Sequence, residues 1–500
     1  MEATCLSLIA LRSVQPDALA AFYAQLGMTF VKHRHGEGPE HFSADLEHGV
    51  VFEIYPQKAG ALPTTSTRVG FGVRSVNEAF QALIKAGAKV VSEPKVSEWG
   101  MRAVVDDPEG HRIELIERKR DADSRSARQV GRESMEAIRP THVEVSLGTI
   151  AQNFDAIRAH VGKAEVMPVV KANAYGHGIV EVSQHLAAHG ATCFGVALLE
   201  EAVVLRRAGI IQPILVFGGV VARQIPQFIE HDLMMAASSI DKMRQIDDAA
   251  AAAKKKARVH LKIDTGMERI GVHWYSAEKL LEASLSFQNI EIAGIYSHFA
   301  NSDAEDLSSA KEQLARFLEV LDFYPKRSLK PPQRHIANSG GILQLPESHL
   351  DLVRPGILLY GVYPSREVKT SIAVKPALSW KSEVVYFKVV QPGNAVSYGG
   401  TWKSDHPVRV VTVPVGYGDG YFRALSNRGQ VVIRGERHPI VGRVCMDQFM
   451  VNLEWGTAYN GDPVTLIGDG ILAQDVADWA GTIPYEVLTN IHARVPRVYV

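Results

Sequence analysis

Apolar positions in the first hundred residues recur twice with helical spacing. Ala18, Leu19, Phe22, Tyr23 and Leu26 form one stripe that stops at Gly27, and Val76, Ala79, Phe80, Leu83 and Ile84 form a second that stops at Gly87. Both fit the i, i+3, i+4, i+7 template closed by a glycine. Each stripe is preceded by a related segment, Leu11-Arg12-Ser13-Val14 and Val73-Arg74-Ser75-Val76, and followed by alternating runs such as Val50-Val51-Phe52-Glu53-Ile54 and Arg112-Ile113-Glu114-Leu115-Ile116. The pattern predicts two copies of a βαβββ module in one small α+β domain, residues 1–118. A polar stretch over 119–139, opening Lys119-Arg120-Asp121-Ala122-Asp123, has almost nothing to bury and reads as a linker.

Beyond it, short apolar runs alternate with longer helical stretches. Eight runs stand out: Val166–Val170, Cys193–Ala197, Pro213–Phe217, Leu233–Ala237, Val259–Ile263, Ile292–Ser297, Arg334–Ala337 and Leu350–Val353. Eight βα units in this span predict a (β/α)8 TIM barrel, which takes about 250 residues; we assign it 140–372. From 373 to 500 the helical period fades. Val384–Phe387, Val408–Val413, Val431–Ile433 and Phe449–Leu453 read as strands of a C-terminal β domain. The chain is therefore multidomain.

Composition narrows the function. With 54 Lys+Arg against 55 Asp+Glu the formal net charge is -1, so the chain is not built to coat nucleic acid or an anionic membrane. No apolar run approaches the ~18 residues of a membrane span. The start lacks a basic n-region, and three scattered cysteines (Cys5, Cys193, Cys445) form neither a disulfide framework nor a zinc cluster. A cytoplasmic location follows as the expectation.

Barrel enzymes place their chemistry at the C-terminal ends of the strands. Strand one ends in Val170-Lys171-Ala172-Asn173-Ala174-Tyr175-Gly176-His177, strand five in Lys262-Ile263-Asp264-Thr265-Gly266-Met267-Glu268-Arg269, and strand six in Ser297-His298. Strand seven ends in His335-Ile336-Ala337-Asn338-Ser339-Gly340, and strand eight in Arg354-Pro355-Gly356-Ile357. One cation at an apolar strand end could be a structural ion pair. Four on one face (Lys171, Lys262, Arg269, Arg354) point to an anionic, phosphate-bearing ligand. An apolar strand end depresses a lysine's pKa and leaves a nucleophilic amine, as a Schiff base with pyridoxal phosphate requires. Taken alone, Lys171 is equally explained as a snorkelling side chain. Ser339 and the Gly356 and Ile357 amides suit a phosphate cradle.

The run Val169-Val170-Lys171-Ala172-Asn173-Ala174-Tyr175-Gly176-His177-Gly178 resembles the cofactor-lysine motif of bacterial alanine racemases. Asp264–Arg269, Val396-Ser397-Tyr398-Gly399, Pro414–Gly420 and Gly442–Gln448 continue the resemblance, in the family's order, from about Pro140 to Val500. It implies a pyridoxal-phosphate barrel followed by a β domain, acting on a small amino acid as a head-to-tail homodimer. It implies Lys171 as the Schiff-base lysine and Tyr398 as the second acid–base group, reaching the partner's cofactor. Tyr175, Ser339, Gly356 and Ile357 match phosphate contacts, with Asn338 beside them. Arg354 matches the arginine at the pyridine nitrogen, with His298 between it and Tyr398. Arg269 and the Met446 backbone match carboxylate recognition, Tyr417 an entrance residue, and Lys262 a lysine that is often carbamylated and orients Arg269. A cation at the ring nitrogen opposes its protonation at about 1.4 kcal/mol per pKa unit, which favours simple proton return over transamination. The chain departs from the family at Ala493, where many members carry a tyrosine that crowds the substrate pocket; serine becomes a candidate substrate unless a neighbour fills the gap. The product, D-alanine, would serve peptidoglycan synthesis or alanine catabolism.

Residues 3–118, with Phe22-Tyr23 and Asp107-Pro108-Glu109-Gly110-His111, resemble the glyoxalase/bleomycin-resistance (vicinal oxygen chelate) family. Members commonly bind a divalent metal at four strand positions, which here fall at Leu8, Glu53, Arg68 and Glu114. Two carboxylates without imidazoles make a poor transition-metal site, so we expect no metal, an ion pair of Glu114 with Arg68, and a ligand-binding, sensing or assembly role. Competing readings of the whole chain are a basic amino-acid decarboxylase, which would need an acidic partner for the pyridine nitrogen, and a non-catalytic pyridoxal-phosphate carrier, which would lack the domain bearing Tyr398.

Overall fold

The computed structural model describes residues 8–34, 39–45, 51–57, 68–73, 75–97, 100–117 and 139–500. Cys5 and all but the last residue of the predicted linker lie outside them. The chain divides into two compact units, Met1–Met135 and Glu136–Val500.

The first unit repeats one topology. In the first module β1 (Leu8–Ser13) pairs in parallel with β4 (Val51–Pro56), which continues to β3 (His41–Asp45) and β2 (Val31–His33). In the second, β5 (Arg68–Val73) pairs in parallel with β8 (Arg112–Glu117), which continues to β7 (Gly100–Asp106) and β6 (Lys89–Ser97). The helix of each module crosses between its first two strands, as the repeat predicted. α1 spans Pro16–Tyr23 and buries Leu19, Ala20, Phe22 and Tyr23. It is shorter than its stripe suggested, because Ala24–Leu26 tightens into a 3-10 turn before Gly27 turns left-handed. α2 spans Val76–Lys85; Ser75 caps it by accepting from Glu78 N at 3.2 Å. The Asp107–Gly110 segment is a turn. The fully buried Asp107 accepts from the Glu109 and His111 amides and from Tyr23 Oη, and pairs with His111 Nδ1 at 2.9 Å.

In the second unit the eight predicted runs form a closed parallel barrel. β10 (Glu165–Val166) pairs with β18 (Leu352–Val353) and, through the bridge Val169–Gly195, leads to β11 (Phe194–Val196). The order continues through β12 (Ile214–Val216), β13 (Met234–Ala237), β14 (Ala257–Asp264), β16 (Ile290–Tyr296) and β17 (Gln333–His335). A short β15 (Val272–His273) pairs with β14. Asp351 N donating to Arg334 O and Arg354 N to Ala337 O close the ring.

The C-terminal segment adds β19 (Leu378–Glu383), β20 (Tyr386–Val390), β21 (Val408–Val413), β22 (Gln430–Ile433), β23 (Glu436–Val441), β24 (Phe449–Asn452), β25 (Pro463–Ile467) and β26 (Arg497–Tyr499). The sheet they build also takes β9 (His142–Val145), from before the barrel, between β19 and β26. One hydrophobic core runs through barrel and sheet. Two helices, Ala473–Ala480 and Pro484–Thr489, lie in a segment read as β-rich. Among the described residues no helix is long and apolar enough to cross a membrane.

Candidate active site

Strand one stops early because Pro168 cannot donate to a ladder. Lys171 then opens a left-handed turn: Ala172, Asn173, Ala174 and Tyr175 all have φ of 52–55°. Each such residue costs roughly 1–2 kcal/mol, so the turn needs external anchors. Ala172 N donates to Glu201 Oε1 at 2.6 Å, while Glu201 Oε2 accepts from the amides of Ala197 and Leu198. One carboxylate thus ties the Lys171 turn to the helix after strand two. Asn173 Oδ1 accepts from Ile179 N, and Gly178 N donates to Asn173 O.

Across the barrel mouth, register brings the other groups together. Lys262 on β14 lies opposite Tyr296 on β16, which lies opposite His335 on β17. Lys262 Nζ sits 4.6 Å over the Tyr296 ring, and that ring stacks on His335 at 4.9 Å. Arg354, 3% exposed, donates to His335 Nδ1 at 2.7 Å, to His298 Nδ1 at 3.2 Å and to the carbonyls of Ser297 and Ile336. A guanidinium only donates, so both Nδ1 atoms accept and both Nε2 atoms carry the proton. His335 Nε2 then donates to His260 Nδ1 at 2.8 Å. Burial, reinforced by Arg354, holds His298 and His335 well below the usual histidine range and lowers His260 to about 3. All three rings are neutral beside a charged arginine, which burial brings down only to about 10.

A cavity of about 150 Å³ collects these side chains. Lys171, Tyr175, Lys262, Arg269 and His298 line it, with Asn338, Ser339, Arg354, Gly356 and Ile357. The four cations singled out in the sequence therefore do converge. Burial first, then Arg269 and Arg354, lowers the pKa of Lys171 against the opposing pull of Glu201. Burial and Arg354 hold Lys262 far lower. Asp264 makes no ion pair with Lys262 and opposes that lowering only in part. Its carboxylate accepts from the Gly266, Met267 and Arg269 amides, which outweigh burial and keep it below the usual range. Ser339 Oγ accepts from the amides of Gly356 and Leu358, and a Cβ at Gly356 would collide with the Tyr175 hydroxyl. Excess positive charge, a glycine-lined cradle and a lysine inclined to lose its proton fit pyridoxal phosphate. Its phosphate would take the cradle and its aldehyde would face Lys171.

Tyr398, Tyr417 and Met446 are not in this cavity. They are 71%, 40% and 54% exposed and share neighbouring loops. Tyr417 N donates to Cys445 O, Gly418 N to Met446 O, and Ser397 Oγ to Arg443 O. Arg494 braces this cluster against the fully buried Asp419 and against Asp447. Ala493, exposed, precedes that arginine. Sequence reasoning gave no site role to five cavity residues, Val169, Phe217, Ile270, Tyr296 and Tyr485; each reads as an ordinary apolar or aromatic position. His335 was visible at its strand end but carried no role. Cys193 is a core thiol, pushed up to about 12 by burial.

In the first unit, Glu114 pairs with Arg102 on the adjacent β7; the expected pair with Arg68 falls on a side chain outside the described residues. Glu53 does have an imidazole beside it, His41 Nε2 at 3.7 Å, contrary to expectation. The period-2 register places His41 on β3 next to the strand carrying Glu53. Among the described residues no group of three or more His, Cys, Asp or Glu could hold a metal.

A closed parallel barrel with a half-buried lysine and an anion cradle at its strand ends, followed by a β-rich segment, fits a pyridoxal-phosphate-dependent enzyme. Residues 145–364 match the family model for the alanine racemase N-terminal domain, 377–499 the C-terminal domain, and 8–116 a glyoxalase-like domain. The chain belongs to the alanine racemase family. It is 46% identical to the alanine racemase of Carboxydothermus hydrogenoformans over 73% of this chain and 100% of that one. Among solved structures, alanine racemase from Streptomyces coelicolor A3(2) superposes with a TM-score of 0.70 at 36% identity, covering 73% of this chain and 99% of that one. The Bartonella henselae alanine racemase with covalently bound pyridoxal phosphate gives 0.68 at 31% identity, covering 72% and 99%.

Proposed function

We propose that this chain interconverts L-alanine and D-alanine with Lys171 and Tyr398 as its two acid–base groups, in a homodimer where Tyr398 enters the partner's cavity. The observation that carries this reading is the separation of the pair. Lys171 lines the cavity, whereas Tyr398 stands exposed on a loop outside it.

Inverting an α-carbon requires a proton to leave one face and arrive on the other, which two opposed groups do best. When bound, pyridoxal phosphate supplies the electron sink that acidifies the Cα–H of the amino acid. Lys171 Nζ, its proton already loosened by burial, handles one face, and Tyr398 Oη of a second copy handles the other. Tyr175, Ser339 and the Gly356 and Ile357 amides bind the phosphate, with Asn338 holding the Ser339 turn through Gly341 N. Arg354 would hold the pyridine side of the cofactor, and His298, fixed by Arg354, presents Nε2–H toward the incoming tyrosine. Arg269 and the Met446 backbone bind the substrate carboxylate. Lys262, neutral enough to take up carbon dioxide as a carbamate, orients Arg269, and Tyr417 lines the entrance. We place the enzyme in the cytoplasm, where its cysteines stay reduced, supplying D-alanine.

The test is optical purity. Chain purified with pyridoxal phosphate should racemise L-alanine and show the cofactor's visible absorbance band. Lys171→Ala should remove both, and a variant that keeps both refutes the assignment.

A further inference from the structure

We propose that Ser397 is a positioning residue, a strained serine that clamps the loop carrying Tyr398 onto the loop carrying Met446 and so aims the tyrosine hydroxyl at one face of the substrate. The inference rests on the role proposed above for Tyr398 and names what directs it. Tyr398 is largely exposed, so within its own chain the backbone beneath it, not packing around the ring, sets its direction.

Ser397 has φ 66° and ψ -177°, a region essentially reserved for glycine. The loop does use glycine elsewhere, at Gly399 and Gly400, both with positive φ. A residue with a side chain persists in such a conformation only where its surroundings over-determine it. Here the side chain itself supplies the constraint. Ser397 Oγ donates to Arg443 O at 2.7 Å, and Cys445 Sγ lies 3.5 Å from the same hydroxyl. Beside this bond the two loops meet closely, since a Cβ at Gly442 would lie 2.6 Å from Val396 O and 2.8 Å from Ser397 Cβ. The Tyr398 loop is closed by Val396 N donating to Trp402 O and Gly400 N to Ser397 O. On the facing side, Cys445 O accepts from Tyr417 N and Met446 O from Gly418 N. One hydroxyl thus joins the loop of the acid–base tyrosine to the loops of the carboxylate-binding backbone and the entrance tyrosine.

Proton chemistry separates this role from a merely structural one. L- and D-alanine have equal free energies, so a variant lowers kcat/KM for racemisation equally in both directions. Loss of the α-hydrogen to solvent has no such constraint. The enantiomer whose Cα–H faces Lys171 still passes that proton to Nζ and takes a solvent-derived one back on the same face. The enantiomer that depends on Tyr398 does not.

The experiment follows cofactor-loaded full-length protein in D2O with L- or D-alanine, reading α-hydrogen loss by proton NMR and racemisation by chiral chromatography. Ser397→Ala removes the hydroxyl. Ser397→Gly removes it and also relieves the backbone, so its loss of activity is not a loss of fold. Both should racemise roughly 10- to 100-fold more slowly, as misplacement of a reacting group does, with the visible cofactor band retained. For one enantiomer, the one that Tyr398→Phe also spares, the ratio of α-hydrogen loss to racemisation should rise several-fold. Exchange and racemisation falling in proportion in both serine variants overturns the proposal while leaving Tyr398 its role, and so does native racemisation in either of them. If Tyr398→Phe itself fails to separate the enantiomers, the two-group reading falls and the proposal falls with it.

Discussion

Mixing two inactive variants distinguishes a shared site from a self-contained one. Lys171→Ala removes the amine from the cavity. Tyr398→Phe removes one hydroxyl from a side chain that is 71% exposed, so stability should change by no more than about 0.5 kcal/mol. Each loss of a positioned proton carrier should reduce turnover by about 10²–10⁴-fold. If Tyr398 serves the partner's cavity in a two-fold dimer, a hybrid of the two variants has one cavity with both groups and one with neither. Random exchange at equal concentration makes half of all dimers hybrids. One site in four is then intact, and the mixture should recover about one quarter of native activity. If Tyr398 instead folds back onto its own cavity, every site in every hybrid carries one lesion and nothing is recovered. The assay is D-alanine formation after co-refolding differently tagged variants, with the hybrid isolated by both tags. A hybrid of verified composition with no more activity than its parents refutes the shared site.

Two further outcomes follow from named residues. Buried His177 and His260 have their pKa lowered to about 4 and about 3 by burial, and His298 and His335 lie well below the usual value for the same first reason. Below pH 6.5 the unfolded chain protonates these rings while the fold does not, so stability must fall as pH drops through that value. His177 alone withdraws roughly 3 kcal/mol by pH 4. Urea midpoints should therefore decline between pH 7 and 5, and a flat profile refutes the buried neutral rings. At the substrate side, Ala493→Tyr should lower kcat/KM for L-serine relative to L-alanine by roughly 10-fold; an unchanged ratio shows that the missing ring does not open the pocket.

The barrel was legible because parallel strands buried on both faces read as near-continuous apolar runs. Pro213–Phe217 and Leu233–Ala237 are such runs, and they contain β12 and β13. The ends were less legible. Of the first run only Val166 lies in a strand, with Val169 joined by a single bridge to Gly195, and of the last only Leu352–Val353, because Pro168 and Pro355 interrupt the ladder. In the C-terminal sheet, β21 was evident from five β-branched residues in six. β19 was not, since Leu378-Ser379-Trp380-Lys381-Ser382-Glu383 holds only two apolar residues and its third inward position is the polar Ser382. Pairing of β9 with β26 joins residues some 350 positions apart, and nothing local encodes that choice. In the site, cations betray themselves at apolar strand ends. Tyr296 and Tyr485 do not, because an aromatic in an apolar run is indistinguishable from core. Tyr398 became visible only through the family's motif; its own loop carries no physical signal of chemistry.

The electrostatics of the cavity explain why so many positive groups persist together. Among the described residues neither Arg269 nor Arg354 makes an ion pair, while Lys171 and Lys262 are inclined toward the neutral form, and the charges of Glu201 and Asp264 oppose that only in part. Arg354 is instead satisfied by neutral acceptors, two carbonyls from the ends of neighbouring strands and two imidazole nitrogens. Such acceptors hold a guanidinium in place without cancelling its field. A carboxylate in their position would neutralise it and would also offer the pyridine nitrogen a proton acceptor, the arrangement suited to other chemistry. The uncompensated field makes the empty site costly and the loaded one favourable, because a phosphate and a substrate carboxylate supply the missing negative charge. The His260–His335–Arg354–His298 chain thus does two things through one guanidinium. It fixes the tautomer of His298 at the cavity wall, and it preserves the charge that selects an anionic cofactor and an amino acid bearing a carboxylate.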